Sequence, residues 1–334
     1  MRYLLTILFF AFLLFSCSTD FVLEGEWKDI PIVYGLISVD DTAHYVRVEK
    51  AFLEPGGNAE QIARIPDSLY YNPSVVIQME NKRTGKTVTL QRVDGSLEGY
   101  SRDPGPFAET PNILYKVKYA DLQLKGGDEV ELTINRGDQL PLVTSSTTMV
   151  GELTPVTNAP PPVFFLGDYI STRRISWKAD ENAVLFDVRA TMHYLESDPD
   201  NPTQFLEKEA EWIMSRSFSR DGGSNQVNFS FKSEEFFLFV AGALNPIANG
   251  ARRFESLDFH ITAAGQDFVD LQRIVQANGG ITSSNQLPVF SNISEGLGIF
   301  ASRAKLDIEG ITLASSGIDS LVNGIYTKDL SFIE

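Results

Sequence analysis

The sequence predicts a mainly β protein built as two β-rich modules, the second carrying two short helices. Three observations predict it. Short runs of β-branched and aromatic residues alternate with polar ones at period two. Gly, Pro, Asn and Asp punctuate those runs at close intervals. A Pro-rich stretch, residues 151–162, divides the chain and ends in Pro160-Pro161-Pro162, which fixes φ and favours an extended connection. With 334 residues, 43% of them apolar, the chain can bury a sizeable core and has the length of two domains.

The first module is expected over residues 31–150. Residues 32–39 are apolar and β-branched, and residues 45–52 resume after the turn-like Asp40-Asp41-Thr42. Within that second run Tyr45, Arg47 and Glu49 alternate with Val46, Val48 and Lys50, as on a half-buried strand. Residues 75–79 and 88–93 flank Thr84-Gly85, a hairpin signal. Further strands are expected at 113–117, 130–134 and 142–149, with Gly126-Gly127-Asp128 turning into the second of these. Short strands at this spacing point to a sandwich of immunoglobulin-like or transthyretin-like kind.

The second module is expected over 163–334. Val184, Phe186, Val188, Ala190 and Met192 alternate with Leu185, Asp187, Arg189, Thr191 and His193, and Leu257, Phe259 and Ile261 alternate with Asp258, His260 and Thr262. Both read as strands with one face toward a core. Residues 233–244 begin with a serine cap and two glutamates and then turn nearly all apolar, predicting a buried helix. Residues 265–278 place Phe268, Leu271, Ile274 and Val275 at helical spacing and stop at Gly279-Gly280. Phe236, Phe237 and Phe239 are expected as core.

The N-terminus predicts an address. Arg2 precedes the apolar run 4–15, which is interrupted only by Thr6 and is short of the roughly 20 residues a spanning helix needs. The segment Leu14-Phe15-Ser16-Cys17 resembles a bacterial lipobox, and Cys17 is the single cysteine. Residues 1–16 are therefore expected as a lipoprotein signal peptide, Cys17 as the lipidation site (acyl groups such as palmitate), and residues 17–30 as a tether. Stable anchoring takes more than one acyl chain, which a triacylated cysteine supplies. One cysteine also excludes an intrachain disulfide. Ser18-Thr19-Asp20 is no Asp/Glu-rich export signal, so either face of the outer membrane fits.

Loss of Arg2 with the leader takes the formal net charge from −16 to −17, so nucleic acid is not an expected partner. No cofactor is expected. The three histidines, His44, His193 and His260, are far apart, and the latter two are expected to face solvent. Asp198, Asp200 and Asn201 offer oxygens to Ca²⁺, yet Thr203 occupies the place where an EF-hand-like loop has glycine; ordinary turn chemistry is the competing reading. Glu207, Glu209 and Glu211 would share one strand face opposite Leu206, Ala210 and Trp212. A glycosidase needs two carboxylates about 5–9 Å apart in a cleft, and an exposed acidic face explains the run without one. No Gly-x-Ser-x-Gly elbow occurs. Thr42, Ser68 and Ser320 each sit in an Asp-Ser/Thr-apolar triplet, an O-glycosylation acceptor pattern.

The segment Pro288-Val289-Phe290-Ser291-Asn292-Ile293, followed by Glu295-Gly296-Leu297-Gly298-Ile299-Phe300, resembles the closing motif of a Bacteroidota outer-membrane lipoprotein family, domain of unknown function 4249. Tyr115-Lys116-Val117, residues 126–134, and then Leu140-Pro141-Leu142-Val143-Thr144-Ser145-Ser146-Thr147 are similar to its first domain. Read physically, Gly296 and Gly298 permit positive φ or close packing while Leu297, Ile299 and Phe300 fill a core. The resemblance implies an outer-membrane lipoprotein of two β-rich domains associated with TonB-dependent receptors, and it carries no catalytic residues. The expected function is thus a non-enzymatic, membrane-anchored binding or accessory module for nutrient uptake by a TonB-dependent transporter. A structural subunit of a cell-envelope assembly and, more weakly, a surface polymer hydrolase are the alternatives.

Overall fold

The computed structural model describes residues 29–51, 59–137, 139–156, 163–164, 166–220, 223–278 and 290–334. Cys17, the leader, most of the tether, residues 157–162 of the Pro-rich stretch and Pro288-Val289 lie outside the described residues. The fold is mainly β, with few and short helices. In chain order the strands are β1 (Pro31–Ile37), β2 (Ala43–Lys50), β3 (Val76–Asn81), β4 (Lys86–Thr89), β5 (Gln91–Asp94), β6 (Ile113–Lys118), β7 (Glu129–Asn135) and β8 (Val143–Thr148). There follow β9 (Thr154–Pro155), β10 (Val163–Phe164), β11 (Thr172–Lys178), β12 (Leu185–Ser197), β13 (Phe205–Ser219), β14 (Gln226–Lys232), β15 (Arg252–Ala264) and β16 (Leu297–Leu313).

One long sheet runs through the molecule in the order β13-β12-β15-β16-β1-β2-β6-β5, with β10 also on β16. A four-stranded sheet, β4-β3-β7-β8, covers one half of it and a three-stranded sheet, β14-β11-β9, covers the other together with helices. Alternation in β1 and β2 sends Val33, Ile37, Val46 and Val48 inward against Ile77, Met79, Leu132 and Ile134 of the four-stranded sheet. This is the sandwich the strand pattern predicts. The second core packs Phe186, Val188, Ala190, Met192, Leu257, Phe259 and Ile261 against Trp177, Phe229, Phe231, Phe236 and Phe237.

The two cores are joined by β16. Its first residues pair parallel with β1, from Ile32–Leu297 to Ile37–Ser302, and its later residues pair antiparallel with β15, from Arg303–Ala264 onward. Ile293 and Phe300 accordingly belong to the first core. The expected division at 151–162 marks where the chain first leaves that core; residues 290–302 return to it, which amends the assignment of 163–334 to the second module alone. Parallel pairing between segments so distant in sequence leaves no signature in either strand's own alternation.

Two local expectations are corrected. Residues 88–93 do not form one strand: β4 pairs with β3, and after buried Leu90 the chain crosses so that β5 pairs with β6 in the long sheet. Such corners are how a strand pattern switches between packed sheets. Ser233 is the first residue of helix Ser233–Ala243 rather than its cap. Its hydroxyl donates to the Ser171 carbonyl (3.2 Å) and accepts from Arg173 Nε (3.1 Å), while the Glu235 carboxylate accepts from the Lys232 N–H (2.9 Å). The glutamate half of a capping box thus starts the helix.

The Asn292 side chain explains the segment around 290–300. Its amide donates to the Phe300 carbonyl (2.7 Å) and accepts from the Phe300 N–H (3.0 Å), and it also donates to Asp267 Oδ1 (3.1 Å). Ser145 Oγ donates to the Asn292 carbonyl (2.8 Å), and the Thr144 N–H donates to Ser294 Oγ (2.7 Å). The loop therefore closes the end of the sandwich beside β8. Gly298 has φ of 115°, and a Cβ there would lie 1.9 Å from the Val33 carbonyl oxygen, so only glycine lets β16 lie against β1.

Candidate functional site

The face of the long sheet opposite the second core carries its chemistry-bearing side chains. Register aligns Arg189 with His260 and His260 with Asp307, and it aligns His193 with Glu209. Since directly opposed residues on adjacent strands point the same way, Asp187, Arg189, Thr191 and His193 join Asp258, His260 and Asp307 on one surface. His260 Nε2 lies 3.1 Å from Thr191 Oγ1 and its Nδ1 lies 2.7 Å from Asp307 Oδ1. His193 Nε2 lies 2.9 Å from Asp258 Oδ2, and its Nδ1 lies 3.4 Å from Glu209 Oε1. The two histidines are thus half-exposed, as expected, but each is bridged across strands, which the single-strand pattern did not reveal.

Hydroxyl, imidazole and carboxylate at Thr191, His260 and Asp307 stand in the order that activates a nucleophile. Acyl transfer also needs N–H donors aimed at an oxyanion. Thr191 lies on β12, paired on both sides with Glu211 and Asp258, so the strand's N–H groups are turned to its neighbours. At His193 both ring nitrogens face carboxylates, leaving neither for a hydroxyl. These contacts knit strands together, at about 0.2–1 kcal/mol for each cross-strand pair. The acidic row behaves the same way. Glu207, Glu209 and Glu211 share the outer face of β13, Leu206, Ala210 and Trp212 turn inward, and Glu211 accepts from Arg189 at 3.0 Å.

His44 lies elsewhere and is fully buried on β2, with neither ring nitrogen hydrogen-bonded and Tyr119 set edge-on at 6.4 Å. Burial pushes its pKa below the ordinary imidazole value, with Asp41 opposing. Asp198, Asp200 and Asn201 close the β12–β13 hairpin: Asp198 Oδ1 accepts from the Asp200 N–H and Asn201 Oδ1 from Thr203 Oγ1, each at 2.8 Å. One oxygen each of Asp198 and Asn201 serves the turn, and among the described residues no three His, Cys, Asp or Glu are grouped to hold a metal ion. Of the acceptor-pattern residues, Thr42 is exposed in the bend before β2. Ser68 is half-buried in helix Pro66–Leu69, and Ser320 lies in helix Ser315–Asn323 with its hydroxyl on the Gly167 carbonyl (3.4 Å).

A recess of about 540 Å³ lies beside the first core. Tyr70, Tyr71, Pro66, Pro73 and Pro111 form its walls, and Lys50 and Arg92 bring positive charge beside the carboxylate of Asp67. Lys50 Nζ donates to the Asp67 carbonyl (2.8 Å) and stands 6.0 Å from the Tyr71 ring centre. Tyr71 donates to Asp29, and burial together with that bond pushes its phenol far above the ordinary range. The phenol is therefore a fixed neutral donor. Both tyrosine rings are almost wholly buried, so the recess presents proline and ring edges with charged side chains, a lining suited to a polar ligand. Sequence reading missed this recess because its residues come from two strands, from helix Pro66–Leu69 with the residues that follow it, and from the loop at Pro111. A second cavity of about 430 Å³, where β8 meets helix Gln266–Asn278, is lined by hydroxyls and by Glu129, Glu181 and Asp267.

Compared with family models the chain matches none, and it matches no curated protein.

Proposed function

We propose that this chain is a lipid-anchored outer-membrane protein that acts as a binding or accessory module for a TonB-dependent transporter, without a catalytic step of its own. The observation that carries the reading is the lipobox-like Leu14-Phe15-Ser16-Cys17 behind a short apolar leader. The resemblance of residues 288–300 to the closing motif of domain of unknown function 4249 supports it from the other end of the chain. Two structural features agree with a binding role. The recess beside Tyr70 and Tyr71 offers a concave wall with charged side chains, and the histidine–carboxylate pairs lie on an open sheet face rather than in a cleft.

The test is direct. The N-terminal peptide from the membrane fraction should begin at Cys17 with acyl mass attached, and Cys17→Ala should abolish that mass and leave residues 1–16 uncleaved. Native-detergent isolation of the wild type should bring a receptor barrel with it. A free thiol at position 17 in the membrane-bound protein would overturn the anchor, and repeated isolation as a lone species would overturn the accessory role.

A further inference from the structure

On the outer face of the long sheet, where it meets helix Gln266–Asn278, lies a cavity of about 330 Å³ whose wall is more apolar than polar. Leu36 of β1, Leu185 of β12 and Phe268 of the helix form the apolar part, and Arg189, Arg216 and Arg303 the cationic part. Register sets Leu185, Ala264 and Arg303 in one cross-strand row, which brings an apolar side chain and a guanidinium onto the same face.

The charges in this wall are not balanced. Arg189 is neutralised by Asp187 and Glu211, both at 3.0 Å. Asp187, the one acid of the wall, is thereby taken up, leaving one of its oxygens buried without a partner. Among the described residues Arg216 and Arg303 have no carboxylate within bridging distance, and Arg303 Nε is buried with no hydrogen-bond partner. Two unanswered guanidiniums in one cavity are notable in a chain of net charge −16. A planar fork of donors matches a carboxylate or phosphate with two parallel hydrogen bonds.

An apolar strip leads away from the cavity along β1. Leu36 and Tyr34 point outward two residues apart and are 40% and 53% exposed, and Leu297, opposite Ile32, is 39% exposed. Apolar side chains in line beside an anion site mark a ligand with both characters.

We propose that this cavity binds an anionic amphiphile, the oxyanion head held by Arg216 and Arg303 and the single apolar chain laid over Leu36 and Tyr34. The site is separate from the recess at Tyr70 and Tyr71 and does not depend on the anchored-module reading. Its test therefore uses the full chain with Cys17→Ala, so that attached acyl groups cannot occupy it.

Titration calorimetry with dodecanoate should show saturable binding. Acetate, which has the head without the chain, and dodecyltrimethylammonium, which has the chain with the opposite charge, should not bind at the same concentrations. Dodecyl phosphate should bind comparably if the guanidiniums read any oxyanion. Arg303→Gln and Arg216→Gln should each weaken dodecanoate by about tenfold or more, the usual scale for a lost charge-assisted contact. Leu36→Ser, at an exposed position, should weaken dodecanoate while leaving the thermal midpoint in place. Equal binding of the cationic and anionic amphiphiles to the unsubstituted chain, or unchanged affinity in the Arg216→Gln/Arg303→Gln pair, overturns the proposal.

Discussion

The two cores that share the long sheet are filled by different means. The first is sheet on sheet, and its interior is dominated by Val, Ile, Leu and Met from strands of similar length. The second sets the same sheet against a shorter one and against helices, and its interior is richer in aromatic rings than the first. Trp177 meets Phe186 edge-on at 5.3 Å, Phe164 meets Phe259 at 5.5 Å, and Trp212 stacks on Phe239 at 5.4 Å. Two of these contacts, Trp177 with Phe186 and Phe164 with Phe259, join strands, and one, Trp212 with Phe239, joins a strand to a helix, so large rings fill the space under both covering layers.

The comparison breaks most sharply at the seam. Gly298→Ala forces a methyl into the Val33 carbonyl and should cost beyond about 5 kcal/mol, enough to unfold a protein of ordinary stability. A variant that remains soluble with an unchanged urea midpoint would show that β1 and β16 can part without loss.

Trp177→Ala and Phe300→Ala next ask whether the cores unfold together. Each should cost about 3–5 kcal/mol by loss of a large buried ring. Because β16 carries residues of both cores, one transition should be seen by near-ultraviolet dichroism and by far-ultraviolet dichroism alike. Two separated transitions in either variant would mean that the shared sheet does not couple them.

Asn292→Ala removes the clasp on Phe300 and the contact to Asp267, and it should cost about 1–3 kcal/mol, the scale for orphaned buried polar groups. Asn292→Asp keeps an acceptor for the Phe300 N–H but sets a carboxylate oxygen against Asp267 and the Phe300 carbonyl, so at neutral pH it should cost at least as much as Asn292→Ala. Equal stability of all three forms in denaturant would remove the clasp from the account.

The smallest effect is a pH slope confined to the first core. His44 is held neutral by burial, so below about pH 6.5 the unfolded chain takes up a proton that the folded chain resists. Stability should therefore be intact above that pH and fall as pH drops below it, by at most about 1.4 kcal/mol per unit, levelling beneath the folded value. His44→Leu should remove this share of the slope. An identical pH–stability curve for the variant would place the titration elsewhere.

Much of the strand content was legible because alternation is a local signal. β2, β12 and β15 lie where Tyr45–Lys50, Val184–His193 and Leu257–Thr262 placed them, and helix Gln266–Asn278 follows its apolar spacing. The split at Leu90 was hidden because both halves of 88–93 have β character and only the neighbouring strands decide which sheet each joins. The Tyr70–Tyr71 recess and the pairings of His193 and His260 were hidden for the same reason: their partners come from other strands and loops.

By itself the sequence determined the β class, the acidic surface, the alternation that sorts inner from outer residues, and the glycine that β16 requires at position 298. These are properties of a residue and its near neighbours. That one sheet serves both cores, that residues 290–302 return to the first, and that Arg216 and Arg303 line one cavity with Leu36 came only from the three-dimensional packing. Contacts between distant segments follow from which layers exclude water together, and that choice belongs to the whole chain.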